Sequence, residues 1–308
     1  MNQNPLISII TPTWNRCKNV QRAIESVRKQ SFEKYEHLII DDGSTDNTVE
    51  IVNQIVEKET RLKLIPLEKN QGSNPARNIG ISEAKAPLIT FLDSDDEYLP
   101  HRLKTTHQFF KDHPEVNILI SSFETRKGAR RLDSCNPEGF VRRALFEEAL
   151  FANRIFIAGS AITVRRESLD AVSGFDPSLK RMQDRDLLLR LARKEGAYLC
   201  SQMDWIKYQS TDGISRPRRG YLESLDALYL LHSHLVEKHQ DVAGYLVARH
   251  LLSSLLSGHW CHLIKSYAIV RRLKSIKLTI PTMMRFYVKG KQYRRQIADQ
   301  VKQNCESS

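Results

Sequence analysis

The chain has 308 residues, 41% of them hydrophobic and 27% charged, with a formal net charge of +11. That composition is ordinary for a soluble globular protein large enough to bury a full core and carry an extra module, and it excludes two classes. No run reaches the roughly 18–20 apolar residues needed to cross a bilayer, and five scattered cysteines (Cys17, Cys135, Cys200, Cys261, Cys305) form no CxxC pair or metal-ligand spacing.

Leu6-Ile7-Ser8-Ile9-Ile10 is a short apolar run of strand length, ending at Thr11-Pro12-Thr13. The polar residues before it do not form a signal peptide, which together with the cysteines fits a reducing cytosol. Val20, Ala23, Ile24 and Val27 repeat at i, i+3, i+4 and i+7, predicting a helix over Val20 to Lys29. A strand follows at Glu36 to Ile40. Asn47 with Glu50 three residues later resembles a capping pair for a helix burying Val49, Val52 and Val56. Leu62 to Leu67 is a third strand. After the loop Asn70 to Asn74, Pro75 opens a helix through Ala84. Leu88 to Leu92 is a fourth strand, Pro100 to His113 a helix, and Asn117 to Phe123 a fifth strand. This alternation predicts an α/β fold: a mostly parallel sheet with helices on both faces. Right-handed crossovers then place the strand-to-helix loops on one edge.

Further on, Glu124 to Gly139 reads as a basic, irregular, mobile loop. Val141 to Phe151 and Asp184 to Lys194 are helical, and Ala161 to Val164, Ala197 to Cys200 and Trp205 to Tyr208 are short strands. Residues 1–215 hold 31 Lys and Arg against 30 Asp and Glu, which leaves 16 basic and 6 acidic residues, a net +10, for 216–308. The charge break and the linker-like Arg216-Pro217-Arg218-Arg219-Gly220 divide the chain into 1–215 and a basic, helical 216–308.

Two acidic turns stand out, Asp41-Asp42-Gly43-Ser44 and Asp93-Ser94-Asp95-Asp96, each directly after an apolar strand. Carboxylates gathered at strand ends repel one another. A polar ligand or a divalent cation at the carboxyl edge of a parallel sheet gives them a reason to be there.

Taken in order, Pro12 to Arg16, DDGSTDNT (Asp41 to Thr48), Gly72 with Ala76 to Gly80, FLDSDD (Phe91 to Asp96), and GFD (Gly174 to Asp176) followed by Gln183 to Leu187 resemble glycosyltransferase family 2. The resemblance covers about Leu6 to Ser215. It implies the GT-A fold and an inverting hexosyltransferase-type reaction on a nucleotide sugar, in a single in-line displacement. By resemblance Asp42 hydrogen-bonds the base, assisted by Asp41; a carboxylate accepting from a ring N–H fits uracil, thymine or guanine but not cytosine, and a UDP-sugar is the expected donor. Pro12, Thr13 and Asn15 line the nucleoside pocket. Asp95 is the direct ligand of Mg²⁺ or Mn²⁺, and Asp93 contacts ribose or a metal-bound water. Asp96 orients either one or contacts acceptor hydroxyls. Arg77 reaches toward the diphosphate or holds the second acidic turn. Asp184 is the general base, at a helix start that favours its ionised form. Gln183 stands where the family often has an acid, and Asp186 is either a supporting residue or an outward-facing one.

The acceptor implied is a saccharide or a lipid-linked sugar, in cell-surface polysaccharide or glycolipid biosynthesis. Neither the Gln-x-x-Arg-Trp motif nor the membrane helices of processive synthases are present, which favours transfer of one sugar. The basic amphipathic tail, densest at Arg271 to Lys274 and Met283 to Lys289, suits peripheral contact with an anionic membrane, on its inner face for a cytoplasmic enzyme. No motif supports nucleic-acid binding. The competing readings are a degenerate family member that binds membrane or protein, and a sugar nucleotidyltransferase. The latter would need a glycine- and arginine-rich loop after the first strand. The histidines, His232, His234, His259 and His262 included, form no metal-ligand pattern and read as surface or packing residues.

Overall fold

The apolar run at the N-terminus forms the middle of the sheet. Strand β1 (Ile7–Thr13) is buried at every position, as a strand covered on both faces must be. The computed structural model describes residues 4–209 and 221–256, and five single positions between 269 and 299. From β1 the chain passes through α1 (Val20–Arg28), β2 (Tyr35–Asp41), α2 (Thr48–Val56), β3 (Leu62–Pro66), α3 (Ser73–Glu83) and β4 (Leu88–Phe91). All three pairings among these four strands are parallel, in the order β3-β2-β1-β4. Val20, Ala23, Ile24 and Val27 of α1 are all buried, as their spacing predicts.

After β4 come the two-residue β5 (Glu97–Tyr98), α4 (Arg102–Asp112), β6 (Ile118–Lys127), β7 (Arg130–Ser134), β8 (Gly139–Val141), α5 (Arg143–Phe151), β9 (Ile162–Arg165), α6 (Arg166–Asp170), α7 (Gln183–Ala192) and β10 (Ala197–Tyr208). The sheet continues from β4 through β9, β6 and β10 to β5. Here β9 runs antiparallel to both β4 and β6, while β10 is parallel to β6. The chain thus winds from β1 toward β3 on one side and reaches β4 on the other. This is a topological switch point, and it opens a crevice at the carboxyl ends of β1 and β4.

Two sequence expectations are corrected. Residues 124–139 are not an irregular loop: β6 runs on to Lys127 and β7 returns antiparallel, with Lys127 paired to Arg130 around Gly128-Ala129. Gly128 has φ +56°, the left-handed backbone that a two-residue hairpin needs. Arg130 to Asp133 are exposed, so no apolar alternation marks the strand. The two short strands at 197–200 and 205–208 are one strand, β10, with register shifts between Cys200 and Met203 and between Met203 and Ile206. A third expectation shifts by one residue. Asn47 makes no side-chain cap at α2; Asp46 Oδ1 instead accepts from the Thr48 amide at 3.0 Å.

Helices α8 (Tyr221–Leu231), α9 (Ser233–Lys238) and α10 (Gln240–Leu255) pack on this body. Their Leu222, Leu225, Leu228, Leu235, Val242 and Val247 belong to the same contiguous core as the sheet and α5. No helix among the described residues is long and apolar enough to cross a membrane. The linker at 216–220, the basic segments 272–274 and 283–289, and His259 and His262 lie outside the described residues.

Candidate functional site

The carboxyl ends of the parallel strands meet one cleft of about 1600 Å³. Pro12, Thr13 and Asn15 line it from the end of β1, and Asp42 from the end of β2. Arg77 comes from α3, Asp93, Asp95 and Asp96 follow β4, and Gln183 and Asp184 open α7. Residues separated by up to about 170 positions in sequence are thus brought together by topology alone.

Each segment is held by specific bonds. Asp42 is 3% exposed. Its Oδ1 and Oδ2 accept from the amides of Gln71 and Gly72 at 2.7 and 2.8 Å, which ties the loop before α3 to the end of β2. Each oxygen keeps a second lone pair for a ligand. Asn15 has φ +52°, and its Oδ1 accepts from the Thr45 amide at 2.8 Å, joining the turn after β1 to the one after β2. Gly43 has φ +68°, and a methyl group there would lie 2.7 Å from the Lys69 carbonyl carbon and 2.8 Å from the Asn70 nitrogen. Only glycine fits that approach without moving the backbone.

The second acidic turn is held at four points. Arg77, 3% exposed, donates from Nη2 to Asp93 Oδ1 at 2.6 Å. Ser160 Oγ accepts from the Asp93 amide at 3.0 Å and donates to Asp96 Oδ2 at 2.7 Å. Arg22 donates to the Asp95 carbonyl at 2.6 Å, with its guanidinium 3.8 Å from the Tyr208 ring centroid. The Tyr208 amide donates to Asp96 Oδ1 at 3.3 Å. Arg77 thus holds this turn, one of its two expected roles, and it also lines the cleft. Asp96 is pushed well above the usual carboxylate range by burial and by the neighbouring charges of Asp93 and Asp95.

Asp184 stands in the first turn of α7, after Met182, which takes the left-handed conformation with φ +60°. Asn15, Asn153 and Met182, three of the four non-glycine residues with positive φ among the described residues, line the cleft. Such conformations persist only where the surroundings over-determine them. Asp184 Oδ1 and Gln183 Oε1 are shielded from solvent and have no hydrogen-bond partner among the described residues. Burial raises the Asp184 carboxyl above the usual carboxylate range; the Arg77 charge pulls it back and Asp93 pushes it up. A methyl group on Gly159 would lie 3.4 Å from Asp93 Oδ1, 3.5 Å from Asp184 Oδ1 and 3.6 Å from Arg77 Nη2. These are ordinary van der Waals distances, so the three groups converge on one small space beside Gly159.

The family model of glycosyl transferase family 2 matches residues 8–173, more than half of the chain. The chain belongs to glycosyl transferase family 2. Relatives within the family include the putative colanic acid biosynthesis glycosyl transferase WcaA of Escherichia coli, 32% identical over 207 residues, which are 64% of this chain and 69% of that protein. The GalNAc(5)-diNAcBac-PP-undecaprenol beta-1,3-glucosyltransferase of Campylobacter jejuni is 38% identical over 170 residues, 49% of this chain and 55% of that one. The chain spans as little as 37% of another curated relative. Residues 1–349 of S. aureus TarS, solved in complex with UDP, superpose with a TM-score of 0.67 at 21% identity, covering 97% of this chain and 92% of that one. That likeness shows the GT-A fold.

Within this family member, two candidate residues lie away from the cleft. Asp41 turns into its own loop, where its carboxylate accepts from the amide and hydroxyl of Ser44 at 2.9 and 2.5 Å. Asp186 is neither a cleft residue nor an outward one. It is 1% exposed; its Oδ2 accepts from Arg190 at 2.7 and 2.9 Å, and its Oδ1 pairs with His232 Nε2 at 2.9 Å. A residue two after another on a helix points about 200° away, so Asp184 and Asp186 cannot share a wall. Arg193 Nη2 lies 3.0 Å from His232 Nδ1; an arginine only donates, so Nδ1 accepts and Nε2–H faces Asp186. His232 thereby ties α7 to the junction of α8 and α9.

Sequence reasoning missed Ser160, Arg22 and Tyr208. Only Ser160 carried a readable signal, as a small polar residue beside a glycine directly before a strand.

Proposed function

We propose that the protein transfers one sugar from a nucleotide sugar, a UDP-sugar, to a hydroxyl of a saccharide or lipid-linked acceptor, with inversion. The observation carrying this reading is the gathering of Asp42, Asp93, Asp95 and Asp184 from three separate segments around one cleft. In this reading Asp42 and the Pro12–Asn15 turn hold the nucleoside, and Asp184 takes the proton of the attacking hydroxyl. That oxygen bonds to the anomeric carbon as the bond from that carbon to the β-phosphate oxygen breaks, and the electron pair of the broken bond stays on the phosphate. A carboxylate with one oxygen shielded from solvent and unpartnered, and with its pKa raised by burial, suits a general base.

Among the described residues no three His, Cys, Asp or Glu are placed to hold a metal by themselves. A cation bound through one or two carboxylates and the donor's phosphates needs no such cage. The crowded Asp93, Asp95 and Asp96 offer hard oxygen donors whose mutual repulsion a cation would relieve, so the residues fit Mg²⁺ or Mn²⁺. Asp95 would hold it, with Asp93 against ribose or a metal-bound water, and the cation would supply charge neutralisation for the leaving diphosphate. The relatives named for colanic acid and for an undecaprenol-linked glycan support an acceptor in cell-surface glycan or glycolipid biosynthesis, and UDP bound to TarS supports the donor class. The net +10 of residues 216–308 supports peripheral contact with an anionic membrane.

Calorimetry of UDP with and without Mn²⁺, followed by a nucleotide-sugar panel with NMR of the product's anomeric configuration, tests the proposal. Metal-strengthened UDP binding and an inverted product are expected. Metal-independent binding contradicts the role of Asp95, and a retained configuration contradicts the single displacement.

A further inference from the structure

Lys207 lines the cleft from the end of β10. No hydrogen bond or ion pair commits its ammonium among the described residues, whereas the cations around the acidic turn are engaged. Arg77 is bound to Asp93, and Arg22 to the Asp95 carbonyl and the Tyr208 ring. The backbone that carries Lys207 is firmly set. Register shifts in β10 precede it, and such bulges re-aim side chains beside functional sites. The Asp204 carbonyl accepts from the Leu99 amide at 2.8 Å, and the Gln209 amide donates to the Arg126 carbonyl at 2.9 Å. Ahead of it Asp204, Trp205 and Ile206 are all buried, so the strand cannot rotate Lys207 out of the cleft without exposing its core. Asp96 and Asp184 line the same cleft as Lys207, and its positive charge opposes the upward shift that burial imposes on both carboxyls. Arg16 also lines the cleft, in the turn after β1, where its amide donates to Thr48 Oγ1 at 2.8 Å.

We propose that Lys207 is a further catalytic residue whose ammonium binds the β-phosphate of the donor and stabilises the diphosphate as it leaves. This rests on the reading of the cleft as a nucleotide-sugar site. As the bond between the anomeric carbon and the β-phosphate oxygen breaks, its electron pair stays on that oxygen, where negative charge grows. A positioned cation stabilises that charge more in the transition state than in the ground state. No proton moves to or from Lys207 in this step.

The test compares UDP with UMP, which lacks the β-phosphate, by calorimetry on the full chain. Lys207→Met should weaken UDP binding about tenfold or more while changing UMP affinity by less than about twofold, so UMP doubles as the control for folding. Lys207→Arg, which keeps the charge, should recover most of the UDP affinity. With saturating donor, kcat of Lys207→Met should fall at least as far as its UDP affinity. Equal losses for UDP and UMP, or unchanged UDP affinity, would overturn the assignment. Wild-type protein that binds no UDP would sink the donor reading itself, and so fails before any variant is compared.

Discussion

Arg77→Met isolates the electrostatic control of the base. Arg77 is the largest influence holding the Asp184 carboxyl down against its burial. The Gly159 contacts place Arg77 Nη2 and Asp184 Oδ1 within about 7 Å of each other. Two unit charges at that separation interact by about 2 kcal/mol at an effective dielectric of about 20, and by about half of that where cleft water screens them. The substitution removes a positive charge, so the Asp184 carboxyl rises further and protonates at higher pH. The base must be ionised to accept a proton, so the rate falls as pH drops through its pKa. The acid limb of kcat/KM, measured from roughly pH 4.5 to 9, should therefore move upward by about one pH unit. The fold should survive, because the partner left behind, Asp93, has a side chain 30% exposed that water can solvate; circular dichroism checks this. An acid limb that stays in place, or moves to lower pH, would refute the reasoning.

Gly43→Ala should lower stability by about 2 kcal/mol or more in urea unfolding, since alanine at φ +68° carries the left-handed penalty and also meets the Lys69–Asn70 backbone. UDP affinity should fall with it, because that backbone leads into the loop bound to Asp42; a change under about 0.5 kcal/mol would contradict the close approach. His37 is buried beside Thr11, and burial holds it down to about 3. The unfolded chain therefore binds a proton near pH 6.5 that the folded chain refuses, so stability is fully present above about pH 6.5 and declines as pH falls toward 3, by at most about 5 kcal/mol from this residue. His37→Gln should flatten that part of the stability profile by chemical denaturation, and identical slopes would contradict it.

The parallel half of the sheet was legible because its central strands are buried on both faces and α1 carries a clean apolar stripe, as in Ile7 to Ile10 and Val20 to Val27. The cleft was legible for the same reason, since topology sends every strand-to-helix loop to one edge. The β6–β7 hairpin was not legible because Arg130 to Asp133 face solvent and leave no alternation to read. The bulges in β10 hid its continuity, because they break the period of two between Cys200 and Ile206. Asp41 and Asp186 show the limit of reading motifs. Each neighbours a cleft residue in sequence, yet local geometry turns Asp41 into an Asx-type turn with Ser44 and Asp186 into a buried pair with Arg190 and His232. Side-chain direction, set by the strand end in one case and by the helical period in the other, decides which member of an acidic pair meets the ligand.

The central claim is that Asp184 accepts the acceptor's proton in a cleft whose nucleotide end is assembled independently of it. Asp184→Asn, assayed for transfer and for UDP binding on the same preparation, tests this most directly. Transfer should fall by about a hundredfold to ten-thousandfold while UDP affinity stays within about twofold. Retained transfer, or loss of UDP binding along with it, would contradict the account.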